Sequence, residues 1–248
     1  MSTTYETGHA KNVANFESLI SFIKGYGAAY NPTKIAIHLG NMQVQAKKAK
    51  DAIASINSLL PAYSNAVAVR EIAFEPISKL STRIFNSLKA TDAPQQIIDN
   101  AATHHRKLQG KRASAKVTEA EKQVLLAEGK EIKQVSSSQQ SYDSILDTLD
   151  KQIKLLASIP EYAPNEIELK VATLTALYND LKTKNASVVN QTTPLSNSRI
   201  ARNEIMYNKE TGMVATALDA KVYVKSLFGF SSPQYKQISG LVISQVKV

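Results

Sequence analysis

The chain has no cysteine among its 248 residues, which excludes disulfides and thiol chemistry. Glycine and proline are sparse, at nine and eight, so long segments run without a breaker and helices are favoured over many short strands. Histidine occurs four times, as His9, His38, His104 and His105. None forms Glu-x-x-His or His-x-x-x-His, the patterns that place metal ligands on one helix face. His38 reads as a partly exposed polar residue beside Leu39. His104 and His105 are neighbours, splayed by about 100° on a helix, which suits surface contact better than joint chelation.

Other chemical signatures are missing too. There is no Gly-x-Ser-x-Gly elbow, no Gly-x-x-x-x-Gly-Lys loop and no Gly-x-Gly-x-x-Gly turn. Glu71 and Glu204 occupy corresponding places in the two halves and read as salt-bridge or helix-contact groups rather than an acid–base pair. Asn185 and Asn190 begin glycosylation-type sequons with no secretion signal to give them meaning. No catalytic residue, cofactor or metal is therefore expected. Met1–Glu6 lacks a basic and apolar leader pattern, and no run approaches 18 consecutive apolar residues. The expectation is a cytoplasmic chain without a transmembrane segment.

What is present points to a folded, helical chain. Hydrophobic residues make up 43% and charged residues 21%, ordinary usage for a globular protein and enough to bury a sizeable core. A helical unit recurs. Tyr30-Asn31-Pro32 leads into Ile35, Leu39, Met42, Ala46, Ala49, Ile53 and Ile56; Tyr162-Ala163-Pro164 leads into Ile167, Val171, Leu174, Tyr178, Leu181, Asn185 and Val188. Each position is offset by 132, the spacing is a heptad seam, and Asn185 alone breaks the apolar match. Ile35, Leu39 and Met42, with Ile167, Val171 and Leu174, are expected to face inward.

Proline sets the expected boundaries. Pro32 ends a first helix carrying Val13, Phe16, Ile20 and Ile23. A second runs from about residue 33 to 60 and closes at Pro61. A third spans about 62–90 with Val69, Ile72, Leu80, Ile84 and Leu88 inward and is kinked or split at Pro76. Asp92 reads as a helix cap before Pro94, and Thr118 with Glu121 as a capping box. In the second copy, Leu149, Ile153 and Leu156 mark a helix stopped by Pro160; the next begins near Asn165, and Pro194 precedes the last. Gly229 suits a helix stop, with Tyr223, Phe228, Phe230 and Tyr235 as a core plug. Residues 240–246 read as a lone strand or a docking tail.

The formal net charge of +9 is concentrated between His104 and Lys116, where Arg106, Lys107, Lys111, Arg112 and Lys116 occur without an acid. Such a segment is a candidate for binding nucleic acid or another polyanion. It has no aromatic residue to stack on bases, and cations also suit the negative end of a helix. Tyr223-Val224-Lys225-Ser226-Leu227-Phe228-Gly229, followed by Ser232-Pro233-Gln234-Tyr235-Lys236-Gln237-Ile238-Ser239-Gly240, resembles the C-terminal signature of uncharacterised helical proteins of Bacteroidetes. That resemblance implies no activity and no site.

The expected fold is all-α: an elongated helical bundle of two tandem three-helix repeats with a helical connector. The expected segments are 1–94 for the first repeat, 95–141 for the basic connector, and 142–248 for the second repeat with its tail. The expected function is a non-enzymatic scaffold or protein-interaction module that binds a protein partner or associates with itself. Polyanion binding through the connector, and a membrane-active helical protein, are the competing readings.

Overall fold

A computed structural model describes residues 8–111, 123, 124, 126, 127 and 140–246. Every regular element among the described residues is helical. In chain order these are α1 (His9–Gly25), α2 (Leu39–Phe74), α3 (Ile77–Lys89), α4 (Gln95–Leu108), α5 (Tyr142–Ala157), α6 (Val171–Tyr207), α7 (Met213–Phe228) and α8 (Pro233–Ser239). Three-residue 3-10 turns lie at Gly27–Ala29, Ile35–Ile37 and Ile167–Leu169. The expected capping box at Thr118 and Glu121 falls outside the described residues.

Two compact units are formed: unit 1 is Met1–Tyr63 with Gln191–Val248, and unit 2 is Ser64–Asn190. They do not coincide with the segments 1–94, 95–141 and 142–248. The cause is the length of α2 and α6, each of which begins in one unit and ends in the other.

In unit 1, α1 buries Val13, Phe16, Leu19, Ile20 and Ile23 at helical spacing. Met42, Ala46 and Ala49 of α2, Met206 of α6, Met213, Ala217, Ala220 and Val224 of α7 and Ile238 of α8 complete its core. Aromatic edges close it, with Tyr30 5.1 Å from Tyr223 and Tyr26 5.3 Å from Phe228 between ring centroids. Residues 241–246 form no strand. They dock on α1 instead: the Asn12 amide donates to Ser244 O (2.6 Å) and accepts from Ser244 N (3.2 Å), and Asn15 Nδ2 donates to Val242 O (2.7 Å). Side-chain amides thus satisfy backbone groups that a lone strand would leave unpaired. Gly212 precedes α7, where an added Cβ would lie 2.5 Å from Asn208 O, so only glycine fits.

In unit 2, α5 buries Leu146, Leu149, Gln152, Ile153 and Leu156, a spacing identical to that of α1. Around it lie Phe74 of α2, Ile77, Ile84 and Leu88 of α3, Ile98, Ala101 and Leu108 of α4, and Leu174 and Leu181 of α6. Helix α4 packs against both α3 and α5. Ser141 caps α5 by accepting from Ser144 N. Asp92 does not cap α4: Pro94 holds that place without a side-chain bond, and Thr91 Oγ1 accepts from Ala93 N instead.

Three expectations about the long helices are corrected. Helix α2 does not close at Pro61, nor α6 at Pro194; both prolines are interior. An interior proline deletes one hydrogen bond and costs about 3 kcal/mol, yet packing on both sides, by Ile56 and Phe74 in α2, holds the helix. Ile35 and Ile167 do not face inward; they are 70% and 73% exposed. Each opens a 3-10 turn flanked by extended residues, so the α-helical phase does not reach it, and Ile37 and Leu169 are buried instead. Val69 and Ile72 are exposed as well. Beyond Pro61 the inward stripe of α2 is Ala66, Val67, Arg70, Ala73 and Phe74. Pro76 does split the third segment, since α2 ends at Phe74 and α3 starts at Ile77.

Candidate functional site

The basic segment reaches the described residues only in part. Arg106 and Lys107 sit in the last turn of α4 and Lys111 just beyond it, with Lys107 and Lys111 exposed; Arg112 and Lys116 lie outside the described residues. The carbonyls there are occupied: Lys111 N donates to Arg106 O, and Gly110 N and Gln140 Nε2 donate to Lys107 O. Cations at this helix end complement its partial negative charge.

The two neighbouring histidines are half-buried. His105 stacks on Phe85 at 4.9 Å with 12° between planes, and its Nδ1 lies 3.0 Å from Ser81 Oγ. Burial lowers the pKa of His105, with Lys111 acting in the same direction; burial, then Lys107 and Lys151, lowers that of His104. Lowered pKa values shift both rings toward the neutral form. His38 is exposed, with Nε2 2.9 Å from Pro32 O. Among the described residues no three His, Asp or Glu side chains are grouped to hold a metal.

Two polar clusters escaped sequence reasoning. In unit 1, His9 Nδ1 is 2.6 Å from Tyr207 OH, and Asn12 reaches the same hydroxyl at 3.4 Å. Burial lowers His9, assisted by Arg202, and burial raises Tyr207. Because Asn12 also grips Ser244, this cluster anchors the C-terminal tail. In unit 2, Arg70 lies over the Tyr142 ring at 3.9 Å and donates to Asn185 Oδ1 at 3.1 Å, while Asn185 Nδ2 donates to Asp143 Oδ1 at 2.8 Å. Asn185, the one break in the apolar seam, thus joins an arginine to a carboxylate; that break was the available signal. Glu71 and Glu204 are both exposed, one in each unit.

Helix α7 exposes apolar side chains opposite its core face. Its inner face is in the unit 1 core, yet Leu218 and Val222, one turn apart, are 52% and 67% exposed. The turn Ile35–Ile37 packs against α7, and Lys34 pairs with Asp219; Ile35 on that turn is exposed as well. Further along, Lys225 lies over exposed Phe230 at 5.2 Å. In unit 2 the turn Ile167–Leu169 packs against α3 in the same way, with Arg83 paired to Glu168. There the outward residues are Lys79, Thr82, Arg83 and Asn86.

One segment among the described residues, Leu39–Lys89, is long and apolar enough to cross a membrane by length and composition, with mean hydropathy 1.2 over an 18-residue window of which 6% is buried. Comparison with protein-family models, curated proteins and solved structures finds no match to the chain. The described residues define an all-helical fold.

Proposed function

We propose that this chain is a non-enzymatic helical interaction module that binds a protein partner, or a second copy of itself, through the outward face of α7. The observation that carries this reading is the exposed pair Leu218 and Val222 on a helix whose other face is core. A helix apolar on both faces suits burial on both. Covering a branched aliphatic contributes about 1.5–3 kcal/mol, and Ile35, on the turn that packs against α7, is exposed too. The test is affinity capture from native lysate at low and moderate salt, with nuclease-treated controls, comparing the wild type with Leu218→Glu combined with Val222→Glu. The expected result is capture that survives moderate salt and nuclease and is lost in the double variant with helicity unchanged. Capture indifferent to the variant overturns the reading. Capture that vanishes with nuclease and falls steeply with salt transfers function to Arg106, Lys107 and Lys111.

We also infer that the chain holds two copies of one helical unit. Support comes from the matched burial of α1 and α5, and from Tyr30 OH and Tyr162 OH, which donate to Ile37 O and Leu169 O at 2.9 Å each. In this reading each compact unit combines the start of one copy with the end of the other. A cytoplasmic location accompanies the interaction reading.

A further inference from the structure

Around the helix axis of α7, at about 100° per residue, Ala215, Leu218, Ser226 and Gly229 all fall within about 40° of Val222. Leu218, Val222 and Ser226 are exposed, Ala215 is half-buried, and at Gly229 there is open space where a side chain would stand. Asp219 and Lys225 flank this stripe at about 60° on opposite sides. Lys34 pairs with Oδ2 of Asp219 and leaves Oδ1 without a partner among the described residues. Lys225 lies over the Phe230 ring and makes no ion pair among the described residues.

This order of residues is complementary to its own reverse. Counting outward from Val222 in both directions, Asp219 stands opposite Lys225, Leu218 opposite Ser226 and Ala215 opposite Gly229. The mirrored positions thus hold a negative and a positive charge, a large and a small side chain, and two small residues. An antiparallel copy of the helix centred on Val222 sets the members of each couple level with each other. A parallel copy would set Asp219 level with Asp219 and Lys225 with Lys225, which repel. Large side chains facing small ones let two helices interlock at an axial separation of about 8–10 Å. On α3 of unit 2 the outward residues include Lys79 and Arg83, which would bring like charges together in such a pair.

We propose that two copies of this chain pair through α7, antiparallel, about a two-fold axis at Val222. This pairing rests on the α7 face being a contact surface, as proposed above, and assigns that face to a second copy. The interface is isologous, with the same patch serving both chains. Leu218 of each copy covers Ser226 of the other, and Asp219 offers its second oxygen to Lys225 of the other.

The chain has no cysteine, so single cysteines introduced on α7 of the full chain report the pairing directly. Sedimentation of the wild type is expected to show a reversible monomer–dimer equilibrium. Leu218→Glu combined with Val222→Glu should raise its dissociation constant about 100-fold with helicity unchanged, and Lys225→Glu about tenfold. Val222→Cys is expected to cross-link to itself under mild oxidation. Leu218→Cys and Ser226→Cys each lie about 6 Å along the helix from the axis, hence about 12 Å from their own mates, too far for a disulfide. Mixed together, those two variants are expected to cross-link to each other. A wild type that stays monomeric at about 1 mM, where even a weak pair would form, overturns the pairing. Self-linking of Leu218→Cys as efficient as that of Val222→Cys overturns it too. If the wild type is monomeric while capture from lysate is still lost in the double glutamate variant, the second copy is excluded and the interaction reading stands with a different protein partner.

Discussion

In unit 1 the helix α1 buries Leu19; 133 residues on, α5 of unit 2 buries Gln152 in the same place. The four other positions that the two helices share at this offset, Val13/Leu146, Phe16/Leu149, Ile20/Ile153 and Ile23/Leu156, are apolar in both. Neither amide atom of Gln152 finds a partner among the described residues, so one unit has a leucine where the other has an unsatisfied polar group. The outward surfaces differ in the opposite sense. Unit 1 exposes Leu218 and Val222 on α7, and unit 2 presents Lys79 and Arg83 on α3. Spacing toward the core is shared because close packing tolerates little change. The positions that spacing leaves free are where the units become chemically distinct.

The largest effects test the shared spacing. Leu19→Ala and Leu149→Ala are each expected to destabilise by about 2–5 kcal/mol in denaturant unfolding. Ile35→Ala and Ile167→Ala should stay within about 0.5 kcal/mol. A near-neutral Leu19 or Leu149 variant would break the comparison at its centre. Next, Gln152→Leu makes α5 like α1 and is expected to stabilise by about 1–2 kcal/mol, since it removes two unsatisfied groups; a clear drop in Tm would mean that the amide is held after all.

Tyrosine sharpens the contrast further. Tyr162 is buried and Tyr30 half-buried; burial raises the pKa of both phenols, with Tyr223 adding to the rise at Tyr30. Each hydroxyl holds one carbonyl, so Tyr162→Phe should cost about 1–2 kcal/mol and Tyr30→Phe less, because water reaches that carbonyl more easily. The reverse order would contradict the burial difference.

Acid should weaken both units, and unit 2 more. His9 in unit 1, and His104 and His105 in unit 2, have pKa values lowered from 6.5, each chiefly by burial. The unfolded chain therefore takes up protons first as pH falls. Their contribution is whole above 6.5 and declines as pH drops through 6.5 toward the lowered folded values. Thermal melts across that window should show the decline, and His105→Gln should flatten it; melts independent of pH there would remove the buried-imidazole account. The smallest effects belong to the mirrored surface pairs. Asp219→Asn and Glu168→Gln should each change stability by less than about 1 kcal/mol, and by less again in high salt.

Much of this molecule is written in local pattern. The inward residues of α1 and α5, the seam from Met42 to Ile56, the split at Pro76 and the stop at Gly229 follow from periodicity and backbone chemistry within a turn or two. Asn185 announced itself by breaking a pattern, although its partners Arg70 and Asp143 lie 115 and 42 residues away. What local pattern does not contain is the energy of distant contacts. Pro61 and Pro194 are helix stops by propensity, and packing on either side overrides them. Residues 241–246 have strand chemistry, and two asparagines of α1 hold them as a docked tail. Ile35 and Ile167 match an apolar register but precede the helix that would turn them inward. Periodicity along one chain segment determined which residues face a core; which segments share that core, and which gaps stay open, was decided by long-range packing, where the free energy of burial is spent between residues far apart in sequence.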